Sequence, residues 1–248
     1  MSIRVAARRL DSGTDWEANI QALESGVAAA ARDGAQFIVS PEYTDIRGDA
    51  ATIKKHASPL DGSLLHRLAR IASSHGVYLH VGSIHEQVAE QNKLGNTGLT
   101  FSPEGQLVAS YRKLHLYDAV VGELPYKESD DFVHGQALSL VDLLGMRLGL
   151  SICYDIRFPE LFRSLRAQGA NVIVVPAAFN VHTGRDHWEL LLRARAVENQ
   201  CYVIAAAQIG GPGPALPCLG RSMVIDPWGT VIACMPDSTG HIFKDISL

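Results

Sequence analysis

The sequence predicts an α/β fold with two packed sheets, and three observations carry that expectation. Apolar runs of strand length alternate with segments of helical periodicity along most of the chain. DGAQFIVSPEY (33–43) and QGANVIVVPAAF (168–179) share a helix end, a Gly-Ala pair, an apolar strand and then a proline. Two hairpin turns, PEG at 103–105 and PWG at 227–229, echo each other in the same way. Two similar halves, each a sheet with helices on one face, would pack as a four-layer αββα sandwich. That αβ units simply look alike remains an equal alternative at this stage.

The elements follow in order. Ile3 to Ala7 reads as a strand. Thr14-Asp15-Trp16-Glu17 fits a capping box with Thr14 at the cap, and Trp16, Ile20, Leu23 and Val27 recur at helical spacing until Gly34 closes the helix. Gln36 to Ser40 is a buried strand, and Ser63 to Ser74 a helix with Leu64, Leu68 and Ile71 on one face. Tyr78 to Ser83, Gly98 to Phe101 and Gln106 to Arg112 are strands, the last two joined by the turn at Ser102–Gly105. Ala137 to Val141 and Arg147 to Ile152 are strands. Pro159 opens a helix and Gly169 follows its end. Asn171 to Val175 is a strand, Trp188 to Asn199 a helix whose Trp188, Leu191 and Leu192 read as the stripe of an interface helix, and Tyr202 to Ala207 a strand. Residues 210–218, rich in glycine and proline, read as a loop, and Asp226–Gly229 turns the second hairpin between strands at Ser222 and Val231.

The totals exclude several classes. The 248 residues are 47% hydrophobic and 19% charged, with formal net charge -4 and no long run of one sign, which argues against a nucleic-acid partner. No apolar stretch has the length of a membrane span. The start, MSIRVAARRL, lacks an apolar signal core, so a cytoplasmic location is expected. The four cysteines, Cys153, Cys201, Cys218 and Cys234, form no C-x-x-C pair and are expected to stay reduced. His182, His187 and Glu189 lack the spacing of a metal-binding helix, and no metal is expected.

Three reactive side chains stand where strands end. Glu42 follows FIVS, Lys113 follows LVASYR and Cys153 follows RLGLSI. Ligands of α/β sheets sit beyond strand ends. Each residue has an ordinary reading: an inert buried thiol, a helix N-terminal charge, a solvated lysine. Together they read differently. A helix start after Cys153 and a nearby lysine would favour a thiolate, and a carboxylate supplies a base. Glu42 also breaks the match between the repeated segments, because Ala177 occupies its place in the second.

PEY around Glu42, YRKLHLYD around Lys113 and GLSICYDIRFPEL around Cys153 resemble the nitrilase superfamily of carbon-nitrogen hydrolases. GANVIVVPAAF, HWELLLRARAVENQCYVIAAAQ and SMVIDPWG extend the resemblance from about residue 3 to residue 246. It is nearest to the Nit-type amidase branch, which includes omega-amidase and deaminated-glutathione amidase. The resemblance implies one domain over 1–248, with an αββα sandwich of two mixed sheets. It also implies a homodimer or larger assembly and a Glu42–Lys113–Cys153 triad that needs no cofactor. Glu128, in YKES, matches the family's second glutamate and would support Lys113. Two departures stand out: Arg8-Arg9 where family members often carry Gln, and an end at KDISL where relatives usually continue in a tail that packs on the partner subunit.

The chemistry so implied is hydrolysis of a small amide through a thioester, with Lys113 and the Tyr154 backbone N–H on the oxyanion. The expected substrate is the terminal amide of a small carboxylic, often 2-oxo, acid, released as acid and ammonia. Arg157 is the candidate cation for its carboxylate, against a structural salt bridge to Asp155 or Glu160. Phe179 and Asn180 are candidate pocket residues. A nitrilase or an N-carbamoyl-amine hydrolase would use the same triad, and a non-catalytic scaffold is the reading from a different class.

Overall fold

The structure is a computed structural model that describes residues 2–89, 91–121, 124–211 and 217–248. In the first sheet Ser2–Leu10, Phe37–Val39 and Tyr78–Gln87 run parallel, and Leu94–Phe101 and Leu107–Arg112 continue antiparallel. In the second, Met146–Leu150, Val172–Val174 and Tyr202–Ala205 run parallel, and Met223–Ile225 and Val231–Cys234 continue antiparallel. The two strand orders are the same. Each closing hairpin even carries a register shift, at Thr100/Phe101 and at Val224/Ile225. The duplication read from 33–43 and 168–179 is therefore a feature of the whole topology.

The halves are not segregated, however. The strand expected over Tyr202–Ala207 divides at Ala206: Tyr202–Ala205 stays in the second sheet, and Ala207–Gly210 pairs with Arg9 and Leu10 in the first. The chain's final strand, Gly240–Ser247, also joins the first sheet, antiparallel to Ser2–Arg9. No periodicity separates an apolar run that serves one sheet from one that serves two.

Period-two burial explains the layers. Ile3, Val5, Ala7, Phe37 and Val39 point inward to pack with the second sheet, and Ala6 and Ile38 point outward to the helices Trp16–Arg32 and Ser63–His75. Each large apolar side chain so buried contributes about 1.5–3 kcal/mol. The second sheet's outer face is covered by Pro159–Ala167 and Val181–Asn199. Fold class and layer order are those expected, an αββα sandwich.

Several local expectations need correction. Asp15, not Thr14, caps the first helix, because its carboxylate accepts the Ala18 N–H at 3.0 Å. The helix expected from Trp188 begins at Val181, capped by Asn180, whose side chain accepts the His182 N–H. Trp188 and Leu192 are fully buried in the chain's own core, so they are not an interface stripe. The strand expected over Ala137–Val141 runs Leu140–Leu143. The helix Ala50–His56 and the hairpin Asp118–Val121 with Leu124–Lys127 carried no sequence signal strong enough to be read. The loop expected over 210–218 lies largely outside the described residues. No helix of the described residues is long and apolar enough to cross a membrane.

Gly82 shows how the sheets meet. A side chain there would overlap the Ser40 carbonyl oxygen and Pro176, and stand 2.5 Å from the Pro41 carbonyl oxygen. Pro41 and Pro176 are the matched prolines of the two repeats, and both press on this one position. The residue after Gly82 holds the next turn: Ser83 Oγ accepts the Tyr43 N–H at 2.9 Å, and its carbonyl accepts the Thr44 N–H at 2.9 Å.

Candidate active site

Three chain segments leave the sheets beside one another and enclose a cavity of about 220 Å³. Glu42, Lys113, Glu128 and Cys153 all line it. The turns that deliver Glu42 and Cys153 share an unusual backbone. Tyr43, next to Glu42, has φ +55°, and Cys153 has φ +48°. Non-glycine residues in this left-handed region cost about 1–3 kcal/mol each and persist only where neighbours fix them. Those neighbours are visible. The Cys153 N–H donates to the Pro176 carbonyl at 2.9 Å. Asp155, fully buried, accepts the Ile152 N–H at 2.8 Å, the Tyr111 hydroxyl at 2.7 Å and the His115 N–H at 3.1 Å.

Glu42, Lys113 and Glu128 form a buried ionic cluster, each no more than 2% exposed. Lys113 Nζ donates to Glu42 Oε1 at 2.9 Å and to Glu128 Oε2 at 2.9 Å. Asn96 Nδ2 bridges the same carboxylates, at 2.8 Å to Glu42 Oε1 and 2.9 Å to Glu128 Oε1. The Ala178 N–H fixes the other Glu42 oxygen at 2.8 Å. Glu128 also accepts the Tyr43 hydroxyl at 2.8 Å and the Tyr117 N–H at 2.6 Å. Every carboxylate oxygen is thus occupied, the condition under which buried charge is tolerated.

Charge states follow from this packing. Burial pulls the Lys113 ammonium down, but the Glu128 and Glu42 carboxylates more than offset it and hold it well above the ordinary lysine value. Burial pushes Glu128 up, while Lys113 and the donors from Tyr117 and Asn96 bring it below the ordinary value. Cys153 differs from expectation. Burial and the Glu42 carboxylate push its thiol well up, and Lys113 opposes them only in part. A five-residue 3-10 turn, Cys153–Arg157, separates it from the helix at Pro159, so no helix dipole stands directly behind the sulfur. The carboxylate beside Cys153 therefore opposes the thiolate that its local sequence context favours. The Tyr154 N–H belongs to the first turn of that 3-10 segment, where amides lack an intrahelical acceptor.

Arg157, Phe179 and Asn180 line the same cavity. Arg157 makes no salt bridge to Asp155 or Glu160 among the described residues, since Asp155 is engaged by Tyr111, His115 and Ile152. Its guanidinium lies 5.4 Å from the Phe179 ring centroid and 5.9 Å from that of Tyr154, with Nη2 3.3 Å from His187 Nδ1. Phe179 packs on Trp188 at 5.0 Å. The Asn180 side chain serves as a helix cap. Among the described residues no group of three or more His, Cys, Asp or Glu could hold a metal ion.

Asn96, Tyr117, Ala178 and the Tyr43 hydroxyl were not singled out by sequence. Only Asn96 carries a signal, a polar residue inside a strand whose residues are all buried. The others depend on which loops the topology brings together.

Residues 4–248 match the family model described as carbon-nitrogen hydrolase. The chain is 40% identical to the deaminated glutathione amidase of Yersinia enterocolitica over 96% of its own length and 84% of that protein's. Among solved structures it is similar to the Caenorhabditis elegans NitFhit protein, with TM-score 0.91 and 36% identity, over 99% of this chain and 60% of that one. It is also similar to an amidase from Nesterenkonia sp. AN1 in which acrylamide has added at the active-site cysteine, with TM-score 0.84 and 28% identity, over 99% of this chain and 93% of that one.

Proposed function

Because the chain belongs to the carbon-nitrogen hydrolase family of the nitrilase superfamily, and is a cysteine-dependent hydrolase of non-peptide carbon-nitrogen bonds, we propose that Cys153 is its nucleophile, Glu42 its base and Lys113 its oxyanion cation. The observation that carries this reading is the buried cluster in which Lys113 bridges two carboxylates beside the cavity's thiol.

Glu42 takes the Cys153 proton as Sγ attacks the amide carbon, so no free thiolate has to be maintained. The tetrahedral oxyanion receives hydrogen bonds from Lys113 Nζ and the Tyr154 N–H, each worth about 3 kcal/mol in comparable sites. Protonated Glu42 returns its proton to the departing nitrogen, the C–N bond breaks, and an acyl thioester remains on Cys153. Glu42 then deprotonates a water that attacks the thioester. The acid leaves, and the thiol is re-formed. Glu128 keeps Lys113 charged and aimed.

The substrate we favour is the amide of a small 2-oxo acid whose carboxylate meets Arg157, with Phe179 against its carbon chain. The similarity to a deaminated glutathione amidase supports that choice. The test is a panel of 2-oxoglutaramate, 2-oxosuccinamate, deaminated glutathione, a simple nitrile and an N-carbamoyl amino acid. We expect kcat/KM on one oxo-acid amide at least tenfold above the last two; the reverse ranking would make the protein a nitrilase or a carbamoylase.

The same reading includes a homodimer in the reducing cytosol, where four unpaired cysteines persist. Leu190, Val197 and Trp228 are exposed by 65%, 51% and 88%, on a helix face and the hairpin that Arg193 ties to it through the Gly229 carbonyl at 2.8 Å. Light scattering should give twice the chain mass, and a Leu190→Asp/Trp228→Ser protein should give the single mass. A monomer in the unsubstituted protein would contradict this.

A further inference from the structure

His85 is fully buried in the cavity wall and has no role in the acyl-transfer steps. It stands on the strand Tyr78–Gln87, paired across the sheet with Asn96, the residue that bridges Glu42 and Glu128. Its ring is held at one end. Asp45, also fully buried, has Oδ1 3.0 Å from His85 Nδ1, and its Oδ2 accepts the His85 backbone N–H at 2.9 Å. A carboxylate there fixes the proton on Nδ1. Nε2 has no hydrogen-bond partner among the described residues. A buried polar atom without a partner costs the fold stability, so hydrogen bonding alone gives no reason for a histidine at this position. What the ring touches is Tyr43. The two rings stack, with centroids 4.7 Å apart and planes within 9°. Phe132, directly after the segment Glu128–Asp131, tilts against both, at 5.7 Å from His85 and 6.3 Å from Tyr43. Tyr43 follows Glu42 with φ +55°, a conformation that neighbours must enforce. Its hydroxyl donates to Glu128 Oε1 at 2.8 Å. Burial, with the Glu128 and Glu42 carboxylates, holds the phenol well above its ordinary value, so it stays a donor.

We propose that His85, anchored by Asp45, is a positioning residue: its ring is the platform that seats the Tyr43 hydroxyl on Glu128 and so keeps Lys113 aimed at the oxyanion. The proposal rests on the reading of Lys113 as the oxyanion cation. The stack fixes Tyr43 in the plane of its ring, the hydroxyl fixes Glu128, and Glu128 Oε2 receives Lys113 Nζ at 2.9 Å.

Two substitutions separate this role from a merely structural one. His85→Phe keeps a flat ring against Tyr43, and His85→Leu does not. Both take the Nδ1–H from Asp45, so both should lower the melting temperature to a similar extent. On the best amide of the panel we expect kcat to fall about tenfold or more in His85→Leu, as a misaimed oxyanion donor requires, and less than about threefold in His85→Phe, with KM within about twofold of the parent in both. Adding Tyr43→Phe to His85→Leu should cost little more, because the hydroxyl is already unseated. Should neither His85 variant fold, Asp45→Asn keeps the shape and turns one anchoring oxygen into a donor; its kcat must then fall by about threefold or more. Equal kcat in His85→Leu and His85→Phe, an additive loss in the double variant, or an unchanged kcat in Asp45→Asn would overturn the proposal. An error in the reading of Lys113 would appear elsewhere, as turnover that survives Lys113→Met.

Discussion

Replacing Glu128 by glutamine probes the ionic cluster with almost no change of shape. Glu128 accepts from Lys113, Asn96, Tyr43 and Tyr117. An amide removes the charge and turns one acceptor into a donor, which must then face Lys113 or the Tyr117 N–H. Breaking a buried ion pair on one side costs about 3–5 kcal/mol, or roughly 6–20 °C of melting temperature for a chain of this size. Lys113 loses the first of the two carboxylates that hold it up. Its stabilising contribution is complete below the ordinary lysine value and is lost as pH rises through the raised folded value, so in Glu128→Gln the alkaline fall of kcat moves to lower pH. Glu128 itself stabilises the fold above the ordinary value of 4.5, and that contribution is lost as pH falls through its lowered value. A misplaced oxyanion donor lowers kcat by about 10²–10³-fold. Differential scanning fluorimetry and the pH–rate profile measure the two effects. A variant that melts within 2 °C of the parent (~0.5–1 kcal/mol) and keeps its alkaline limb would refute the reasoning.

Other outcomes follow from single positions. Burial holds His80 down to about 3, so the folded state loses stability as pH falls from the ordinary 6.5 toward that value, by about 2 kcal/mol at pH 5; His80→Leu should flatten the melting temperature between pH 7 and 5, and an unchanged slope would count against it. Gly82→Ala should cost more than about 3 kcal/mol or prevent folding, because its neighbours are backbone and proline rather than yielding side chains; a soluble variant with a parental melting temperature would show that the repeats do not meet as described.

The layers of the fold were legible because strand and helix periods differ, and because Gly34, Gly169 and Pro159 punctuate them. Glu42, Lys113 and Cys153 were legible as reactive residues at strand ends, Glu128 only through its match to the family's motif, and all four line one cavity. What escaped was set by long-range geometry. Asn96 bridges Glu42 and Glu128 from sequence separations of 54 and 32 residues. Ala178 contributes only its N–H, which no side chain advertises. The crossing at Ala206 is invisible because both sheets bury apolar strands. The opposing push on the thiol escaped for the same reason: a helix start near Cys153 is a local feature, whereas burial against Glu42 is a tertiary one.

The most direct test of the central claim is amine or ammonia release by purified protein on its best amide, with Cys153→Ala beside it and both shown to be folded by circular dichroism. The account predicts turnover in the first and none above background in the second. Undiminished release by Cys153→Ala would contradict it.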